Sequence, residues 1–269
     1  MSKSRGTFIN ARTYWFDTNY LRYYYAAKLG PGMDDIDLNL DDFVARVNSD
    51  LVGKLVSIAS RCAGFISKKF DGSATTLEDE TLYAEFAAES EHIAEAYEAR
   101  EFSKAMRRVM ALADRANRYI EQKKPWVMVK DDSQRLAVQS VCTQGLNLFR
   151  TLVIYLAPVL PDLTAKAREL FGERPWHWSD ATRPALGATI KPYRPMLTRV
   201  ETSQVQAMLE KSREPAELSA GGATRPGRHH IDRRLRKSGS AGRPHRECAA
   251  GRWRRQAAGA DIEPRRRAA

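Results

Sequence analysis

From Leu40 to Phe65 apolar residues recur at steps of four and three: Leu40, Val44, Val47, Leu51, Leu55, Ile58, Cys62 and Phe65. That spacing puts them on one stripe of a long helix, and so long a stripe must be buried against other elements. Asn39 stands where its side chain caps the helix, and Asp42 in the N3 position favours the positive end of the helix dipole. Asp50, Lys54, Ser57 and Arg61 fall on another face, which makes that face the first place to look for a ligand.

The rest of the chain up to residue 212 supplies the partners. A helix is expected from Asp17, with Leu21, Tyr24, Tyr25 and Leu29 at helical spacing and Gly30 and Gly32 ending the run. Further helices are expected over 80–98, 101–121, 132–156, 161–171 and 201–212. The second of these turns Phe102, Met106, Val109, Ala113, Ala116 and Ile120 inward. Lys123, Lys124, Pro125 and Trp126 then break that pattern, Pro125 because it lacks an amide proton and restricts the residue before it. No β-branched alternation is sustained, so the fold class is all-α, a helical bundle with short connections.

The net charge of +11 belongs to the end of the chain. Residues 221–269 hold thirteen Arg and one Lys against four acids, leaving only +1 for residues 1–220. Beyond about residue 213 Gly, Pro, Ser, Arg and Ala dominate without any amphipathic period, a composition that predicts disorder. Cys62, Cys142 and Cys248 have no paired or metal-knuckle spacing, which argues for a reducing compartment and a cytoplasmic protein. No run of 18 apolar residues is present to span a membrane.

Three groups of residues carry candidate chemistry. Met1 to Gly6, MSKSRG, combines mobile Lys3 with the hydroxyls of Ser2 and Ser4, which suits either a solvated terminus or a loop around phosphate oxygens. Trp126, held by Pro125 just after Lys123 and Lys124, fits a core position or a platform for stacking a base. Arg61 fits a solvated surface charge or a contact to base edges or phosphate. Tyr23, Tyr24 and Tyr25 read as packing residues at a junction. His92 and His177 have no local metal-ligand partners, and no metal is assigned.

Taken together these strings resemble one family. MSKSRGTFI is similar to the KMSKS signature of class I aminoacyl-tRNA synthetases without its first lysine. FDTNYLRYYYAAKL, DDIDLNLDDFVARVNSDLVGKLVSIASR and NRYIEQKKPWVMVK resemble the segments that follow it in bacterial methionyl-tRNA synthetases. The resemblance covers residues 1–212. It implies the end of a Rossmann-type catalytic domain and junction over 1–30 and an α-helical anticodon-binding domain over 31–212; residues 213–269, the basic tail expected to be disordered, depart from it.

The implied function is ligation of methionine to its tRNA with ATP, magnesium being expected with the nucleotide. Lys3 falls on the family's transition-state lysine, with Ser2 and Ser4 beside it in the ATP-binding loop. Ser57, Arg61, Pro125 and Trp126 fall on the positions that read the CAU anticodon. Gly53 and Ser57 stand where many relatives have asparagine, and they offer fewer hydrogen bonds to a base.

The nucleotide motif, the methionine pocket and the metal-binding insertion of the family are not found, so these 269 residues alone are expected to be catalytically incomplete; without the family's C-terminal dimerisation domain they are expected to be monomeric. From His229 the tail can be written in codons whose next frame resembles the oligonucleotide-binding domain many of these synthetases carry, which reads as out-of-frame translation. The alternative from another class is a stand-alone, non-catalytic helical RNA-binding protein.

Overall fold

The structure, a computed structural model, describes residues 17–32, 36 and 38–213. The loop of Ser2, Lys3 and Ser4 and the segment from 214 onward lie outside the described residues, as do the readings made on them. Among the described residues there is no β-strand, only an isolated antiparallel bridge between Ser73 and Thr189.

The helices are α1 (Thr18–Lys28), α2 (Leu40–Arg46), α3 (Ser57–Lys69), α4 (Glu80–Glu98), α5 (Phe102–Lys123), α6 (Pro125–Met128), α7 (Arg135–Leu156), α8 (Pro161–Phe171) and α9 (Thr202–Arg213). The helix expected after Asn39 begins as the capping residue directs, with its side chain accepting from the Asp42 amide at 3.0 Å. It is not uniform. Val47–Val56 is π-helical and separates α2 from α3, a local widening of the turn that often accompanies functional sites.

That widening re-sorts the stripe. Val47, Leu51, Leu55, Ile58 and Cys62 are buried as expected, whereas Leu40, Val44 and Phe65 are only half-buried and Phe43 and Ile66 take core positions. In α1 the buried face is Tyr20, Tyr23 and Tyr24, in place of Leu21, Tyr25 and Leu29, because each tyrosine reaches a polar partner at the ring's far end. Tyr20 Oη donates to the Thr198 carbonyl at 2.8 Å, and Tyr23 Oη donates to Asp50 Oδ2 at 2.8 Å. Arg213, assigned to the tail from sequence, closes α9.

α7 runs through the middle of the bundle, and every residue from Val141 to Leu156 is buried. Gly145 permits the closest approach to α3, since a Cβ there would lie 2.6 Å from Cys62 Sγ and 3.3 Å from Ile120 Cδ1. Cys62 and Cys142 are buried, unbridged thiols, and the Cys62 hydrogen bond together with burial pushes the Cys142 thiol far up. α7 also carries a polar stripe: Gln139, Thr143, Asn147 and Arg150 recur at steps of four and three. Gln139 donates to the Ser73 carbonyl at 2.9 Å, Thr143 accepts from the Thr75 amide at 3.3 Å, and Asn147 accepts from the Ala185 amide at 2.6 Å. These bonds fasten two segments outside the α-helices, 72–79 and 173–190, the latter with a 3-10 turn at Trp178–Thr182, across α7.

Candidate nucleic-acid interface

The face singled out from sequence is built by the π segment, α3, α5 and α6. α5 ends because Lys124 adopts the left-handed conformation (φ 48°, ψ 59°), its amide still bonded to the Ile120 carbonyl at 2.9 Å. Pro125 then opens α6 at the first helical position, where a missing N–H costs nothing. This reversal buries Pro125 and brings Trp126, half-buried on the core, beside α3.

Arg61 and Trp126 meet: the guanidinium carbon lies 5.8 Å from the indole ring centroid, within cation–π range. Arg61 Nη1 also lies 3.4 Å from Glu121 Oε2, with side chains 39% and 61% exposed. So exposed a pair holds little energy and readily exchanges its carboxylate for another anion.

Lys54 is held more firmly, 3.0 Å from Asp114 and 3.8 Å from Asp50. Asp50 drops out of the expected set, because the wider π turn directs it to the Tyr23 hydroxyl; burial and the Asp50 charge keep that phenol protonated.

Ser57 also turns inward. Its hydroxyl is 2.7 Å from the Gly53 carbonyl, 2.9 Å from the Lys54 carbonyl and 3.2 Å from Asn117 Oδ1. Asn117 Nδ2 donates in turn to the Lys54 carbonyl at 3.0 Å and the Ala113 carbonyl at 2.9 Å. The two side chains satisfy carbonyls where the helix changes from π to α geometry. Gly53 lies inside the π segment, where a Cβ would stand 3.0 Å from the Asn48 carbonyl.

Above this junction lies an open groove of about 360 Å³ lined by Gly53, Lys54, Arg61, Asp114, Asn117, Arg118 and Glu121. The α5 side of it was missed from sequence. Its signal was there: Asp114, Asn117, Arg118 and Glu121 recur at helical spacing opposite Val109, Ala113, Ala116 and Ile120. A second cavity of about 370 Å³, between Asp17, Tyr20, Lys166 and the 195–200 segment, contains none of the sequence-selected site residues. Among the described residues no group of three His, Cys, Asp or Glu is placed to hold a metal ion, and no helix is long and apolar enough to cross a membrane.

Residues 70–201 match the family model described as the anticodon binding domain of methionyl tRNA ligase, and residues 1–63 match that of the class I tRNA synthetases (M). The chain belongs to the methionyl-tRNA synthetase family. The two matches divide the groove between them: Gly53, Lys54 and Arg61 fall in the first 63 residues, Asp114, Asn117, Arg118 and Glu121 in the anticodon-binding part.

The fold is similar to methionyl-tRNA synthetase of Mycobacterium tuberculosis in its apo form, at 21% identity and a TM-score of 0.61 over 69% of this chain and 39% of that one. A structure of the same enzyme bound by methionyl-adenylate gives 20% identity and a TM-score of 0.58 over 68% and 38%. At such identity the likeness is one of fold, and the chain spans well under half the length of these synthetases.

Proposed function

We propose that the π–α3, α5 and α6 face binds the anticodon loop of methionine tRNA, as the anticodon-binding part of a methionine–tRNA ligase. The observation that carries this is the Arg61–Trp126 pair at the rim of the groove, a large π-face next to a loosely engaged guanidinium. Trp126 stacks one base, and Arg61 leaves Glu121 for a base edge or a phosphate. Pro125 fixes the approach of Trp126, and Ser57 supports the helix beneath. In the whole enzyme Lys3, with Ser2 and Ser4, steadies the phosphates of ATP while methionine is activated. ATP and methionine are then substrates, magnesium accompanies the nucleotide, and the setting is the cytoplasm. We assign the chain to act as a monomer, with 1–30 as junction, 31–212 as anticodon-binding domain and the tail as an out-of-frame addition.

The test compares a stem-loop carrying CAU with one whose loop is scrambled, at about 0.15 M salt, where counterion release no longer masks recognition. The expected result is preference for CAU and a loss of roughly 1–3 kcal/mol in Trp126→Ala, the range for one stacked base. Equal binding of both loops, with no effect of Trp126→Ala while helicity is retained, would make Trp126 a core residue only.

A further inference from the structure

The cations of α5, together with Lys54 and Arg61 on the helix facing it, fall into two groups. Lys54, Arg61, Lys104, Arg108, Arg115 and Lys123 each face a carboxylate: Asp114, Glu121, Glu101, Glu89, Glu85 and Glu78 in that order. Arg107 and Arg118, on the same helix α5, are exposed and face none among the described residues.

Eleven positions of an α-helix amount to three turns, so these two guanidiniums lie within about 20° of one azimuth and about 16 Å apart along the axis. Between them on that line stand exposed Ala111 and half-buried Asp114, whose charge Lys54 already takes up. Arg118 also forms part of the groove wall that Arg61 shares. The ridge therefore presents two free guanidiniums in line, one at the groove and one beyond it, with no free carboxylate between. Guanidinium groups bind phosphate through paired N–H donors.

We infer that the outer ridge of α5 is the track for the sugar–phosphate strand of the bound RNA. Arg118 takes a phosphate at the groove, next to the base that meets Trp126, and Arg107 takes one farther along the same strand. This rests on the RNA-binding reading above and adds the direction in which the strand runs. Contacts of this kind position the RNA without reading its sequence.

The experiment uses the full chain and its Arg107→Gln, Arg118→Gln double variant, titrated with the CAU and scrambled stem-loops between about 50 and 200 mM salt. The basic tail contributes equally to every variant and cancels. Arg194→Gln, an exposed cation outside the groove lining, is the control. The double variant should weaken both RNAs in parallel, and its dependence of log Kd on log salt should be shallower by about 1.4, since each lost contact to a single strand removes about 0.7. The control should keep the full slope. An unchanged slope in the double variant, a loss confined to CAU, or an equal change in the control would each overturn the track. The underlying reading fails separately, when the unsubstituted chain shows no CAU preference and Trp126→Ala changes nothing.

Discussion

A serine hydroxyl has one proton to give, and Ser57 holds it among three acceptors inside the fold. Its work is local, satisfying carbonyls that the change from π to α pitch leaves open. Ser57→Ala should therefore lower stability by about 0.5–1.5 kcal/mol, the net worth of one such bond, as read by urea unfolding. Its effect on binding the CAU stem-loop should be smaller than that of Arg61→Ala; the reverse order would return Ser57 to the bases. Arg150 is the opposite case, a buried charge with everything it needs. Its side chain is 6% exposed, lies 2.9 Å from Glu173 Oε2, and donates to the carbonyls of Asp180 at 2.8 Å and Arg183 at 3.0 Å. Replacing it with methionine strands that carboxylate and those carbonyls, for an expected loss of about 3–5 kcal/mol in unfolding free energy.

Among the elements, the π segment joins two ends of the domain. At its start Asn48 makes a pair of 2.8 Å bonds with Val200, accepting from its amide and donating to its carbonyl; at its end lie Gly53, Lys54 and the groove. The extended 190–200 segment is also held by Tyr20 and Lys166, and at its start by backbone bonds from Ile190 to the Gly72 carbonyl and from Lys191 to the Leu170 carbonyl. Asn48→Ala should loosen it locally, since both backbone groups of Val200 lose their partners. Trypsin cleavage after Arg199 should become faster, while the far-UV signal of the α4, α5 and α7 core changes little. Cleavage at the rate of the unsubstituted chain would show that the segment's other bonds suffice without Asn48.

Across the whole molecule, α1 is tied to the bundle by tyrosine hydroxyls and by two ion pairs, Lys28–Asp42 at 2.8 Å and Lys166–Asp17 at 3.2 Å. The hydrogen bond from Lys28, with that from Arg46, holds the Asp42 carboxyl below its usual range; burial raises Asp17, but bonds from Asn19 and Lys166 lower it further. A carboxylate whose pKa is lower folded than unfolded stabilises the fold above its unfolded value and loses that contribution as pH falls through the folded one. Thermal melts should therefore decline below about pH 4, the ordinary range of aspartate, and Asp42→Asn should flatten that decline. An identical acid limb in the variant would remove Asp42 from the account.

The helices themselves were legible in the chain: 80–98 and 161–171 were expected and found at those limits, and Asn39 caps α2 as its position implied. Periodicity and capping act within a few residues, so the local sequence contains them. The meeting of Arg61 with Trp126, the partners of the polar stripe on α7, and the inward turn of Ser57 and Asp50 were not legible in that way. Each depends on groups brought together by packing, Asn117 for Ser57, Tyr23 for Asp50 and Ala185 for Asn147. The sequence by itself determined where the helices run and which residues were candidates for recognising RNA. Tertiary structure decided which of those residues face the groove, because a π turn and a left-handed Lys124 redirect side chains by an amount no helical period records.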